Sequence, residues 1–241
     1  MRYFCQDNPT VLAHETEVIE QRGPKVLLAE PPFYPGGGGQ LPDLGRLRWA
    51  EGEVAVIGFQ EMAGRLWLEL AEAAALPRRL EARVDQDFRR KQTQLHSDLH
   101  IVNALVFRHF NGALVTGAQI NADGTARVDF DVPGADSAAL RALEPEINKI
   151  IRQDLPIRSE RIPVSQARRE PGLLRSLSVD PPVDPDGSLR VIEIVGLDRQ
   201  ACGGTHLEST GQSAPVRIAK IDNKGRRNRR VRIALAAEGE D

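Results

Sequence analysis

Residues 86–110, QDFRRKQTQLHSDLHIVNALVFRHF, contain neither glycine nor proline, and Leu95, Leu99, Val102 and Val106 recur at intervals of three and four. That period predicts one long amphipathic helix. Asn111–Gly112 stops it. The helix divides the chain into two parts of different character. Ahead of it, VLLAE (26–30), GRLRW (45–49), EVAVIGF (53–59), RLWLEL (65–70) and LEARVD (80–85) read as short strands. They are separated by PPFYPGGGG, by Glu51–Gly52 and by Met62–Ala63–Gly64. Strands at this spacing predict a small β-barrel domain over residues 1–85.

The second part, residues 86–241, is mixed. ALVTGAQI and ARVDFDV read as strands around a turn at Asn121–Ala122–Asp123–Gly124. Ser137 is the expected N-cap of a helix over 138–153, with Pro145 weakening its middle. LPIRSERIPVS is extended, and VDPPVDPDGS (179–188) is a loop. LRVIEIVGL (189–197) is a strand, and PVRIAKID pairs with RRVRIALA around Asn223–Lys224–Gly225. The tail AAEGED is expected to fray. The fold class is therefore α+β.

With 241 residues, 41% hydrophobic and 27% charged, the chain has the composition of a folded protein of one large or two modest domains. No apolar run approaches the length of a membrane span, so no membrane partner is expected. The start, MRYFCQDNPT, lacks the charged-then-apolar pattern of a signal peptide. Two cysteines, Cys5 and Cys202, make no disulfide framework, and a cytoplasmic location is expected. The net charge is −2, yet residues 217–232, RIAKIDNKGRRNRRVR, hold eight Lys and Arg against the single acid Asp222. Such asymmetry suggests a polyanionic partner, and a solvated hairpin face is the plainer reading of it. Arg89, Arg90 and Lys91 add a second basic cluster. Aromatic residues are only 5%, so recognition of a folded RNA by shape and backbone fits better than readout of a single strand.

Two pairs of side chains suit a metal. His96 and His100 stand four apart on the helix, which puts both imidazoles on one face. Cys202 and His206 stand four apart in ACGGTH, where Gly203–Gly204 allows a tight turn. Alone, each pair is weak, since buried thiols and surface histidines are common. Together they supply three nitrogens and one sulfur, a donor set typical of zinc. Four protein ligands would make the site structural, and three with a water would make it catalytic; both stay open. Gly36–Gly37–Gly38–Gly39–Gln40, ahead of Asp43 and Gly45, lets backbone approach a ligand or simply forms a flexible loop.

In order along the chain, GGGGQLPDLG (36–45), HSDLH (96–100), ACGGTHLEST (201–210) and NKGRRNRRVRIAL (223–235) resemble the alanyl-tRNA editing family of the AlaX type and the editing domain of alanyl-tRNA synthetase. The resemblance covers nearly the whole chain and is nearest to the medium-length class. It implies a β-barrel domain followed by a two-layer α/β editing domain of the alanyl/threonyl-tRNA synthetase type. It also implies an aminoacyl-tRNA deacylase that removes serine, and in some members glycine, from mischarged tRNA(Ala) while sparing alanine. Such a second site answers a physical problem, because a synthetic pocket rejects an added hydroxyl poorly.

By resemblance, His96, His100, Cys202 and His206 hold one Zn2+ per chain. Ser97 and Gln119 face the amino acid. Gly36, Gly37, Gly38, Gly39, Gln40 and Asp43 help bind or position the tRNA, with Lys224, Arg226, Arg227, Arg229 and Arg230 on its backbone. Leu41 stands where a proline is common, and Asp98 and Leu99 fill the variable interior of the histidine motif. No general base is evident, and Cys202 suits a ligand better than a nucleophile. The rival reading is a non-catalytic tRNA-binding module with a structural zinc.

Overall fold

The computed structural model describes residues 2–178 and 180–236. The expected frayed tail lies, from residue 237 onward, outside the described residues. The chain forms two compact units. One takes the chain up to Gly37 together with Leu41–Lys91; the other takes Gly38–Gln40 together with everything from Gln92 on.

The first unit opens with a single helical turn, α1 (Phe4–Asp7), and then builds a closed six-stranded barrel. Its strands are β1 (Ala13–Arg22), β2 (Lys25–Leu28), β3 (Gly45–Trp49), β4 (Gly52–Met62), β5 (Arg65–Leu70) and β6 (Arg79–Val84), joined in the order β1-β2-β5-β4-β3-β6. Alternation decides what faces inward: Leu80, Ala82 and Val84 of β6 are buried beside Leu47 of β3 and Leu68 of β5. Each such leucine contributes roughly 1.5–3 kcal/mol through burial. The strand that closes the barrel, β1, carries no apolar run. Its sequence, AHETEVIEQR, is mostly polar, and only Thr16 is buried. It pairs with β2 on one side and β6 on the other.

Helix α2 (Gln86–His109) follows. Asn111 and Gly112, both at positive φ, end it as expected. The second unit contains a four-stranded sheet in the order β12-β13-β8-β7 and a three-stranded sheet in the order β11-β10-β9. The elements are β7 (Leu114–Ile120), β8 (Thr125–Asp131), α3 (Ser137–Arg141), α4 (Glu144–Arg152), β9 (Ile157–Pro163), α5 (Val164–Ala167), β10 (Ser188–Ile194), β11 (Asp198–Ala201), β12 (Val216–Lys224) and β13 (Asn228–Leu235). Leu95, Leu99, Val102 and Val106 enter one core with Phe130, Ile147 and Ile233.

Two local expectations are corrected. The helix expected over 138–153 is two helices, because Pro145 cannot continue a preceding turn and instead occupies the first turn of α4. The cap of α3 is Asp136, whose carboxylate accepts from Ala138 N at 3.0 Å, and not Ser137. Helix α2 also departs from a simple amphipathic form. From Gln92 to Val106 it is buried all round, save for half-buried Thr93. Its polar residues therefore need partners. Gln92 donates to Asn121 O at 3.1 Å, Gln94 to Ser213 Oγ at 3.1 Å, and Asn103 to Gln200 Oε1 at 2.6 Å.

Both outer strands of the four-stranded sheet are hydrogen-bonded outward. On β12, Asn148 Oδ1 accepts from Val216 N at 2.9 Å and its amide donates to Val216 O at 2.7 Å. Glu144 accepts from Ile218 N at 2.6 Å, and Arg141 donates to Ile218 O at 2.9 Å. On β7, Val115 N donates to Arg175 O and Leu177 N to Val115 O, each at 2.8 Å, and Ile120 N donates to Gly39 O at 2.7 Å.

Candidate metal centre

Helix α2 sets His96 and His100 one turn apart, and the segment after β11 returns Cys202 and His206 to the same place. One ligand atom from each of the four lies within 4.8 Å of the others. The imidazole centroids are 5.3, 4.4 and 4.5 Å apart. Cys202 Sγ lies 3.4 Å from His96 Nε2 and 3.4 Å from His206 Nε2. A tetrahedral zinc with Zn–N near 2.0–2.1 Å and Zn–S near 2.3 Å has donor-to-donor edges of about 3.5 Å. The residues fit the ion in type and in spacing.

The electrostatics of the imidazoles agree. Burial holds the pKa of His96 well below the usual imidazole value, with His100 and Arg190 adding to the effect. Burial likewise pushes His206 well below it, and lowers His100 to about 3 with help from Arg175 and Arg190. All three imidazoles are thus neutral near pH 7, the form that binds metal. Burial raises the Cys202 thiol, opposed by the Gly204 N–H and the Arg190 charge. Arg190, on β10, braces the loop by donating to Gly204 O at 2.6 Å and Cys202 O at 3.3 Å. Arg190 is a buried cation in the strand sequence LRVIEI, whose other charged residue, Glu193, is half-buried.

Around the ligands lies a shell of polar contacts. Gln40 Oε1 is 2.9 Å from His96 Nδ1 and accepts from Thr205 N at 3.0 Å, while Gln40 Nε2 donates to Thr205 Oγ1 at 2.8 Å. Thr205 Oγ1 is in turn 2.7 Å from Thr93 Oγ1. Ser97 Oγ donates to Thr93 O at 3.0 Å, accepts from Leu207 N at 3.0 Å and lies 3.3 Å from His206 Nδ1. Two glycines permit this. At Gly204 a Cβ would fall 2.1 Å from His96 Cε1 and 2.9 Å from Gln40 Oε1. At Gly39, φ is +90° and a Cβ would fall 2.8 Å from the Ala118 carbonyl. Asp98, between the two histidines of α2, is wholly buried, accepts from Ser213 Oγ at 2.8 Å, and is pushed up to about 8 by burial.

The other residues singled out by sequence are dispersed. Gln119 is exposed on β7, where Arg127 donates to its Oε1 at 3.0 and 3.2 Å and its amide donates to Asn121 Oδ1 at 3.0 Å. Gly36 and Gly37 belong to the first unit, Gly38 and Gly39 to the second. Asp43 is buried in the first unit, where its carboxylate is ion-paired with Arg89 and accepts from Tyr34 N at 2.6 Å. Arg89 therefore leaves the basic cluster read at the start of α2, and exposed Arg90 and Lys91 remain.

The hairpin β12–β13 is similar. Arg227 pairs with Asp131 at 2.6 Å and Arg230 with Asp129 at 2.7 Å, and Asp222 takes both Lys220 and Arg232 at 2.8 Å. Arg229 donates to Ala135 O at 3.1 Å and to Asn223 Oδ1 at 2.9 Å. Lys224 and Arg226, with Arg217, are exposed and make no ion pair among the described residues.

Sequence comparison agrees with this geometry. Residues 189–232 match the model of the threonyl and alanyl tRNA synthetase second additional domain. The chain is 33% identical over 221 residues to the alanyl-tRNA editing protein AlaX-M of Saccharolobus solfataricus, covering 90% of this chain and 91% of that one. It is 32% identical over 221 residues to the AlaX-M protein of Methanosarcina acetivorans, covering 87% and 88%. It is also 32% identical over 211 residues to the alanine–tRNA ligase of Frankia alni, covering 86% of this chain and 23% of the ligase. With near end-to-end similarity to the editing proteins and the four-residue cluster in place, the chain belongs to the AlaX-M family of alanyl-tRNA editing proteins.

Proposed function

We propose that this protein is a trans-editing hydrolase. It deacylates mischarged tRNA(Ala), chiefly Ser-tRNA(Ala) and also Gly-tRNA(Ala), and spares Ala-tRNA(Ala). The observation that carries this reading is the buried three-nitrogen, one-sulfur cluster in a chain that spans about nine-tenths of an editing protein's length. His96, His100, Cys202 and His206 would hold one Zn2+ per chain. When bound, the ion supplies a Lewis acid beside the ester of the mischarged tRNA. Burial keeps the three imidazoles neutral, and Gln40 and Ser97 stand against the Nδ1 atoms of His96 and His206. Gln119, on the strand whose Ile120 bonds Gly39, would meet a serine hydroxyl by exchanging its contacts with Arg127 and Asn121. Water breaks the ester bond, leaving free amino acid and the tRNA terminal hydroxyl. Lys224 and Arg226, with Arg217, are the exposed hairpin cations without an ion pair among the described residues, and would meet tRNA phosphates. The reaction belongs to the cytoplasm, where mischarged tRNA arises.

A second reading has one observation in its favour. Four protein donors stand close enough that all could bind one ion, and four protein ligands would suit a structural zinc in a tRNA-binding module. Hydrolysis of Ser-tRNA(Ala), Gly-tRNA(Ala) and Ala-tRNA(Ala) by the zinc-loaded protein separates the two. Loss of the seryl ester with the alanyl ester intact supports the hydrolase. Binding of tRNA without loss of any ester supports the module.

A further inference from the structure

The shell around the cluster contains a chain of forced hydrogen-bond polarities. A backbone N–H can only donate. Thr205 N donates to Gln40, so the atom it meets at 3.0 Å must be the amide oxygen, which fixes the flip of the Gln40 side chain. That same oxygen lies 2.9 Å from His96 Nδ1 and has no proton to give. His96 Nδ1 must therefore carry the hydrogen, leaving the lone pair on Nε2, the atom 3.4 Å from Cys202 Sγ.

The second histidine follows the same logic through different atoms. Leu207 N donates to Ser97 Oγ, and the one Ser97 hydroxyl proton goes to Thr93 O, both at 3.0 Å. Toward His206 Nδ1, Ser97 can then only accept. His206 carries its hydrogen on Nδ1 and turns the lone pair of Nε2 toward Cys202 Sγ.

We infer that Gln40 and Ser97 are positioning residues that lock His96 and His206 into the Nδ1–H tautomer. The locks are driven by the N–H groups of Thr205 and Leu207, the residues on either side of His206. The loop that carries two ligands thus also sets which nitrogen two histidines offer. This assigns Gln40 and Ser97 work different from the tRNA and amino-acid contacts that the family resemblance implies for them. Ser97, 1% exposed, has its only proton committed to Thr93 O and has none to offer a substrate hydroxyl. The inference rests on the proposed metal site only for its consequence; the tautomers stand on hydrogen bonds alone.

The test uses the full chain in zinc-free and zinc-loaded form. Long-range 1H–15N spectra of the histidines report which ring nitrogen is protonated. Wild-type protein should show Nδ1–H at His96 and His206. Gln40→Leu should release His96 alone, and Ser97→Ala should release His206 alone. Competition against a chromophoric chelator should show zinc bound about 10–100-fold more weakly in each variant, the usual cost of losing an outer-shell partner. Gln40→Glu and Ser97→Thr, which keep an acceptor in place, should restore both readouts. Nε2–H at either histidine of the wild type overturns the inference. Unchanged zinc affinity in both Gln40→Leu and Ser97→Ala also overturns it. A Ser97→Ala protein that binds zinc normally and loses seryl but not glycyl deacylation overturns the Ser97 half and returns that residue to the substrate. Wild-type protein that binds no zinc sinks the metal site, and the tautomers still decide this inference.

Discussion

The loop Cys202–Leu207 and the hairpin β12–β13 are the two stretches where functional side chains crowd most densely, and they use them in opposite ways. In the loop, two side chains and three main-chain N–H groups converge on one cluster. In the hairpin, five of eight cations already have protein partners, and two of these, Lys220 and Arg227, stay exposed to solvent as well. Lys220, Arg227, Arg230 and Arg232 meet Asp222, Asp131 and Asp129, and Arg229 meets carbonyls and Asn223. A metal ligand is recognised by its atom type, which folding cannot change. A cation is useful to an RNA only if folding leaves it unpaired, and a count along the sequence does not record that.

The comparison can be broken most decisively at the ligands. His100→Ala should weaken zinc binding about 100- to 1000-fold, one donor's share of a binding free energy of about 10–16 kcal/mol. Zinc content and Ser-tRNA(Ala) hydrolysis should fall together, and full activity in a zinc-free variant would remove the metal from the mechanism. Next in size is the contrast between neighbouring arginines. Arg89→Ala strands the buried Asp43 carboxylate and should cost about 3–5 kcal/mol in urea unfolding. Arg90→Ala, on the surface, should stay within about 0.5 kcal/mol. Equal effects would contradict the burial described for Arg89.

Gly204→Ala comes third. Its Cβ has no room beside His96 and Gln40, so a loss of about 1–3 kcal/mol and weaker zinc retention are expected. The smallest effects sharpen the hairpin side. Lys224→Ala and Arg226→Ala should each reduce the salt dependence of tRNA binding by about one phosphate contact and leave Tm unchanged. Arg230→Ala should do the reverse, lowering Tm by about 2–4 °C with the salt slope intact. A steeper loss of binding for Arg230 than for Lys224 would show that the Asp129 pair opens to meet RNA.

What the sequence made legible follows the same division. Helix α2 and the ligand pairs were visible because a three-four period and a four-residue spacing are local. The strands β2 to β8 were visible as alternating or apolar runs between turn residues. Strand β1 was not, because it closes the barrel through backbone pairing and contributes little apolar surface of its own. The polar residues of α2 suggested a wet face. Their actual partners, Asn121, Gln200 and Ser213, come from distant loops and strands. Gln40 was legible as part of a glycine-rich motif. Its place at His96, 56 residues away, depends on Gly39 lying against Ala118, which no spacing reports.

The outward hydrogen bonds of the four-stranded sheet have a consequence for how copies of this protein behave in a crowded solution. Free sheet edges template the strands of other chains, the route to domain exchange and fibrous aggregates. Here the main-chain groups of Val216 and Ile218 on one edge, and of Val115 and Ile120 on the other, already have partners. The guard at Ile120 is the carbonyl of Gly39, the residue just before Gln40. If the glycine segment detaches, His96 loses its orienting partner and strand β7 gains an open edge at the same moment. Failure of the ligand set and the onset of self-association would then begin from one event.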